Sequence, residues 1–85
     1  MNSRSRIEDL VGVLSAARDG ATKTKIMYQR GLISSQTEEY LCFLQLSNLI
    51  RREEGTQLFR PTEKGTHLLM DYEHLNREFD QLVMA

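Results

Sequence analysis

Eighty-five residues, 40% hydrophobic and 27% charged, with one Pro and five Gly, describe one small globular domain rich in helix formers and exclude a disordered chain. The single cysteine, Cys42, excludes an internal disulfide; no apolar run reaches the roughly 18 residues of a membrane span, and MNSRSRIEDL lacks the apolar stretch of a secretory leader. A net charge of −1 excludes a uniformly basic surface.

These exclusions place the chain inside the cell, in the cytoplasm. A chain of this length buries only about 60–65% of its unfolded surface, so a second subunit is expected to cover more.

Ile7, Leu10, Val11, Leu14 and Ala17 recur at helical spacing and predict a first helix from about Arg6 to Arg18, ended by Asp19-Gly20. The basic stretch before it, Ser3-Arg4-Ser5-Arg6, reads either as a frayed terminus or as an arm for an adjacent minor groove. Thr22 is the expected N-cap of a second helix over Lys23–Gln29, with Ile26, Met27 and the ring of Tyr28 inward and Lys23 and Lys25 outward. A tight turn at Arg30-Gly31 follows. Ser35 with Glu38 has capping-box spacing for a third helix that stops near Asn48, although Ser34 is an alternative cap. Tyr40, Leu41, Leu44 and Asn48, with Thr37 as a weak first member, follow helical spacing and form its expected inward face. Two helices joined so tightly are the pattern of a helix-turn-helix, a device for laying a helix in a DNA groove.

After Asn48 the period changes. Leu49–Arg52 and Gln57–Arg60 flank Glu53-Glu54-Gly55-Thr56 and predict a β-hairpin, the position of the wing in a winged helix. Thr62 is the expected cap of a last helix, about 20 to 23 residues long. Within it Leu68, Tyr72, Leu75, Phe79 and Leu82 are spaced 4, 3, 4 and 3, the seam of a coiled coil flanked by charge. So long a helix overshoots so small a domain, and the economical partner for its far half is the same helix of a second subunit. The alternative is that it folds back on its own domain. The expected fold class is mainly α with a small β-hairpin, a winged helix-turn-helix at residues 1–61 plus a C-terminal dimerisation helix at 62–85.

Mapped along the chain, residues 1–31 carry net +3, 32–61 carry −1 and 62–85 carry −3. Acid gathered at the C-terminal end leaves the remainder able to present a basic face. The expected DNA contacts are Ser34, Ser35, Gln36 and Glu39 at the outward start of the third helix, with Lys23, Lys25, Arg30, Arg51, Arg52 and Arg60 toward phosphates. Gln36 suits a bidentate contact with adenine. Carboxylates in a phosphate-lined groove repel unless one accepts from a cytosine amino group, so Glu38 and Glu39 read more readily as favouring the positive helix N-terminus. Arginines on a solvated hairpin, equally, need no ligand.

The run Gly20–Tyr28, GATKTKIMY, with Gln36, Tyr40-Leu41, Leu49-Ile50 and Pro61–Gly65, PTEKG, resembles the archaeal winged helix-turn-helix DNA-binding proteins. That family includes small chromatin-associated proteins that dimerise through a C-terminal coiled coil, and transcription regulators, some carried by archaeal viruses. The resemblance implies duplex-DNA binding by a homodimer, in a host cell's cytoplasm if the protein is viral, without catalysis. Ile33, Ser34 and Thr37 stand where the family more usually has Ser, Tyr and Leu, so a later start to the third helix is expected. Asn48 replaces a Gly that commonly closes that helix; Asn tolerates the same left-handed backbone. Gly65 matches the family and suits close approach to the wing.

No catalytic group, cofactor motif or small-molecule site is expected. Cys42 reads as a buried small hydrophobe, and His67 and His74 as solvated side chains rather than metal ligands. A second function class remains: a winged-helix module that binds protein through the outer surface of the third helix, Glu38, Glu39, Cys42, Phe43 and Leu46.

Overall fold

Four helices and an antiparallel hairpin follow one another as α1 (Ser3–Ala16), α2 (Lys23–Arg30), α3 (Ser34–Leu46), β1 (Ile50–Arg52), β2 (Phe59–Pro61) and α4 (Glu63–Met84). The structure is a computed structural model describing residues 3–84, with side-chain surroundings described for residues 6–83.

Helix α1 starts earlier than its apolar spacing indicates, and the backbone of Ser3–Arg6 forms its first turn rather than an extended arm. The Arg4 side chain, part of the expected minor-groove arm, lies outside the described ones. Val13, Leu14 and Ala17 are buried, Leu10 and Val11 are half-buried, and Ile7 is exposed. The expected inward stripe therefore shifts: α1 packs against α2, α3 and α4 together, so its covered arc is wider than one stripe and begins a turn later.

Thr22 caps α2 as expected, its Oγ1 accepting the Lys25 backbone N–H at 3.2 Å. Gly31, at φ 65°, ends the helix, and the Leu32 N–H reaches back to the Met27 carbonyl at 3.0 Å. Ile26 enters the core. Tyr28, expected to pack its ring inward, is instead 90% exposed, because the buried face of this two-turn helix is used up by Ile26.

The expected Ser35/Glu38 capping box is absent. Ile33 is the N-cap of α3, and the Gln36 side chain accepts the Ile33 backbone N–H at 3.3 Å, so the helix starts before Ser35 rather than after it. Thr37 is the buried polar residue of this helix; its hydroxyl donates to the Ile33 carbonyl at 3.0 Å, which removes the penalty of burying it. Asn48, at φ 60°, closes the helix. Its N–H bonds to the Gln45 carbonyl at 3.0 Å and that of Leu49 to the Leu44 carbonyl at 2.8 Å, a Schellman motif with Asn in the glycine position. Cys42, expected to be buried, is exposed.

Strands β1 and β2 pair Ile50 with Pro61, Arg51 with Arg60 and Arg52 with Phe59. On its other edge Phe59 exchanges backbone hydrogen bonds with Ala21, at 3.1 and 2.8 Å, so the wing is sewn to the chain just ahead of α2. Thr62 accepts the Gly65 N–H at 3.0 Å and donates to the Asn48 carbonyl at 2.7 Å, fastening α4 to the end of α3. Gly65 lies against the Leu49 carbonyl so closely that a Cβ would overlap it.

The core gathers Val13, Leu14, Ala17, Ala21, Ile26, Tyr40, Leu41, Leu44, Ile50 and Leu69. Leu69 is the contribution of α4, and the coiled-coil spacing does not single it out. Helix α4 packs on α1 and β2 through its first half, and the molecule extends 48 Å along its longest axis. Among the described residues no helix is long and apolar enough to cross a membrane.

Candidate nucleic-acid interface

Two cross-links bring the starts of α2 and α3 and the hairpin to one side of the molecule. The first is the Ala21–Phe59 bridge, which seats the wing beside the first turn of α2. The second is Lys23, whose Nζ donates to Ser34 Oγ at 2.9 Å and to Glu38 Oε1 at 2.7 Å, tying the first turn of α2 to that of α3. Ser34, Ser35, Gln36, Glu38 and Glu39 stand exposed on the outer side of α3, because Thr37, Tyr40, Leu41 and Leu44 take the inner side. Lys25 is exposed on α2, and Arg51 and Arg52 on β1; among the described residues none of these three engages a carboxylate.

Arg60 and Arg6, by contrast, are engaged. Arg60 Nε donates to Glu53 Oε1 at 3.1 Å, and the guanidinium lies over Gly20, where an added Cβ would come within 3.0 Å of its Cζ. Arg51 and Arg60 stand directly opposite in the ladder, a repulsive pairing that Glu53 offsets. Arg6 reaches Glu39 at 3.7 Å. Arg30 sits at the far end of α2, across Gly12, in a groove shared with Glu8, Tyr72 and Glu73, and the fold does not bring it to the others. Gln36 spends its carbonyl oxygen on the cap of α3 and keeps its amide nitrogen for other partners.

Tyr40 connects the inner side of α3 to α1 through its hydroxyl, which donates to Asp9 Oδ2 at 2.9 Å. That hydrogen bond, with burial and the negative charge of Asp9, pushes the phenol above its ordinary pKa of 10.0. Beside it a cavity of about 90 Å³ opens between Arg6, Leu10, Glu39, Tyr40 and Phe43. Farther along α3, Leu46 is 84% exposed.

Along α4, Leu68, Leu75, Phe79 and Leu82 are exposed, while Tyr72 is half-buried toward α1. His74 pairs with Glu78 on the same helix at 3.2 Å, and Glu73 accepts from Arg18 at 2.8 Å.

The cations of this side are legible in the sequence, whereas their partners are not. Glu38 was concealed by the apparent capping box, and Glu53 by its place in the turn; an acid and a base far apart in sequence give no local sign that they meet.

No curated protein matches the chain. The model of the winged helix-turn-helix family matches residues 3–80, which takes in α1 to α3, both strands and most of α4. The order of elements, the hairpin after α3 and this match agree, and the chain belongs to the winged helix-turn-helix family, whose fold is generally one of DNA binding and regulation.

Proposed function

We propose that the protein is a homodimeric binder of duplex DNA acting as a transcription regulator, with α3 in the major groove and the wing on the backbone. The observation that carries this reading is the convergence of three elements. The outward start of α3, the exposed Lys25 and the Arg51 and Arg52 of the wing, unpaired among the described residues, share one side through the Ala21–Phe59 and Lys23–Ser34 links. Ser34, Ser35, Gln36 and Glu39 face base edges in this arrangement; Lys23, Lys25, Arg51, Arg52 and Arg60 serve phosphates. Arg30 is outside this contact set. The exposed seam Leu68, Leu75, Phe79 and Leu82, with Tyr72 at its edge, supports a two-fold contact between the C-terminal helices of two subunits. The resemblance to coiled-coil-dimerising archaeal proteins points the same way, and a DNA-binding role places the protein inside the cell.

The test is fluorescence anisotropy of a labelled mixed-sequence duplex over a salt series. Affinity is expected to fall with a log–log slope of about −0.9 per phosphate neutralised. Reversing Lys23, Lys25 and Arg52 to Glu should abolish retention, and absent or salt-independent binding of the unmodified protein sinks the reading. If both subunits engage one duplex face, selected fragments should carry half-sites about 10 base pairs apart or a multiple of that.

A second reading, a module that binds protein through the outer face of α3, is favoured by the exposure of Cys42, Phe43 and Leu46 and by the apolar-walled cavity at Phe43. The same triple charge reversal separates the two, since capture of a protein partner on this face would survive it.

A further inference from the structure

The cations that the DNA reading needs are not all at liberty. Lys23 is held by Glu38 at 2.7 Å and Arg60 by Glu53 at 3.1 Å. These acids come from α3 and the wing themselves, the two elements assigned to the duplex. We propose that Glu38 and Glu53 each compete with backbone phosphate for a cation, so that duplex of arbitrary sequence is bound weakly, and that Glu38 alone is also a specificity-determining residue. The inference rests on the DNA-binding reading and deepens it.

The exchange follows from charge and position. In the free protein two of the three Nζ donors of Lys23 serve a carboxylate and the Ser34 hydroxyl, so a phosphate meets a cation whose charge is already offset and engages it fully only by displacing the carboxylate. The displaced Glu38 carboxylate is then left exposed on the outer side of α3, within the phosphate-lined groove, where like charge repels it. A sequence that offers a cytosine amino group at that position gives the carboxylate a donor and relieves the repulsion; other sequences do not. Arg60 and Glu53 repeat the arrangement on the wing without a base to read, so their effect is on affinity for all sequences alike. Both pairs reach solvent, which lets them open without unfolding anything.

The unmodified protein is compared with Glu38→Gln, Glu53→Gln and the double variant against a random-sequence duplex pool over a salt series. Glu78→Gln, whose partner His74 lies on α4, is the control. Each of the first two substitutions should tighten binding to the pool by up to about fivefold at low salt and steepen the log–log salt slope by about 0.9. The control should do neither. Selection from the pool should return a less sharply defined motif with Glu38→Gln than with the unmodified protein, whereas Glu53→Gln should leave the motif unchanged. Unchanged affinity and slope, in variants of a protein that does bind duplex, overturn the proposal and leave the DNA reading standing. A lowered urea midpoint with unchanged slope shows the pairs to be structural only and overturns it too. If neither the unmodified protein nor any variant retains duplex, the DNA reading itself fails and this inference with it.

Discussion

Gly65 marks a close approach of two backbones, the first turn of α4 against the Leu49 carbonyl. Neither side can yield cheaply, since Leu49 is anchored by its bonds to Leu44 and Thr62. Gly65→Ala should therefore cost about 3 kcal/mol, at the upper end for an overpacked site, as read by urea denaturation. Gly12 is the contrast. A Cβ there meets the Arg30 side chain at 2.5 Å, but that side chain is exposed and can swing away. Gly12→Ala should be neutral or stabilising by up to about 1 kcal/mol, the helix preference of Ala over Gly. Tyr40 gives a pH signature. Its folded-state pKa is raised by the hydrogen bond to Asp9, so the folded chain holds the phenolic proton more tightly than the unfolded one. This contribution is fully present below about pH 10 and is lost as pH rises through the folded value. Denaturation midpoints between about pH 9 and pH 11 should fall more steeply for the unmodified protein than for Tyr40→Phe.

Helix α4 belongs to the core at one end and to nothing described at the other. Leu69 is buried in the core, whereas Phe79 is 62% exposed ten residues on. Leu69→Ala should cost about 3 kcal/mol of unfolding free energy, from lost transfer energy and the cavity left behind. Leu75→Ala with Phe79→Ala should leave the fold of one subunit intact and weaken self-association, which sedimentation over a concentration series reads directly. The ends of the elements were the most legible feature of the chain, because a cap is a local device. Thr22, Gly31, Asn48 and Thr62 each act on backbone groups a few residues or one tight packing step away. The start of α3 is ambiguous in the sequence for the same reason: two local devices, Ser35 with Glu38 and Ile33 with Gln36, compete over the same turn, and the engagement of Glu38 by Lys23 favours the second.

At the scale of the molecule, the side made by α3, the start of α2 and the wing stands apart from the open seam of α4. If that seam joins two subunits, the thermal midpoint should rise with protein concentration, as stability linked to association requires. A midpoint independent of concentration, with a monomer in sedimentation, removes the dimer from the proposal. A chain with net charge −1 relies on where its charges sit. Lys25, Arg51 and Arg52 stand unpaired among the described residues, while Lys23, Arg60 and Arg6 lean on carboxylates of their own chain.

Periodicity, caps and turn residues by themselves determined four helices, a hairpin and their order, because each acts within a turn or two of its own position. Which side chains are covered was decided only by tertiary packing. Helical spacing names a face of α2 or α3 but not how many neighbours press on it, so Tyr28 and Cys42 proved exposed and Leu69 proved central. The partners of Lys23 and Arg60 were likewise settled by the fold, since Coulomb attraction depends on distance in space, which spacing along the chain does not record.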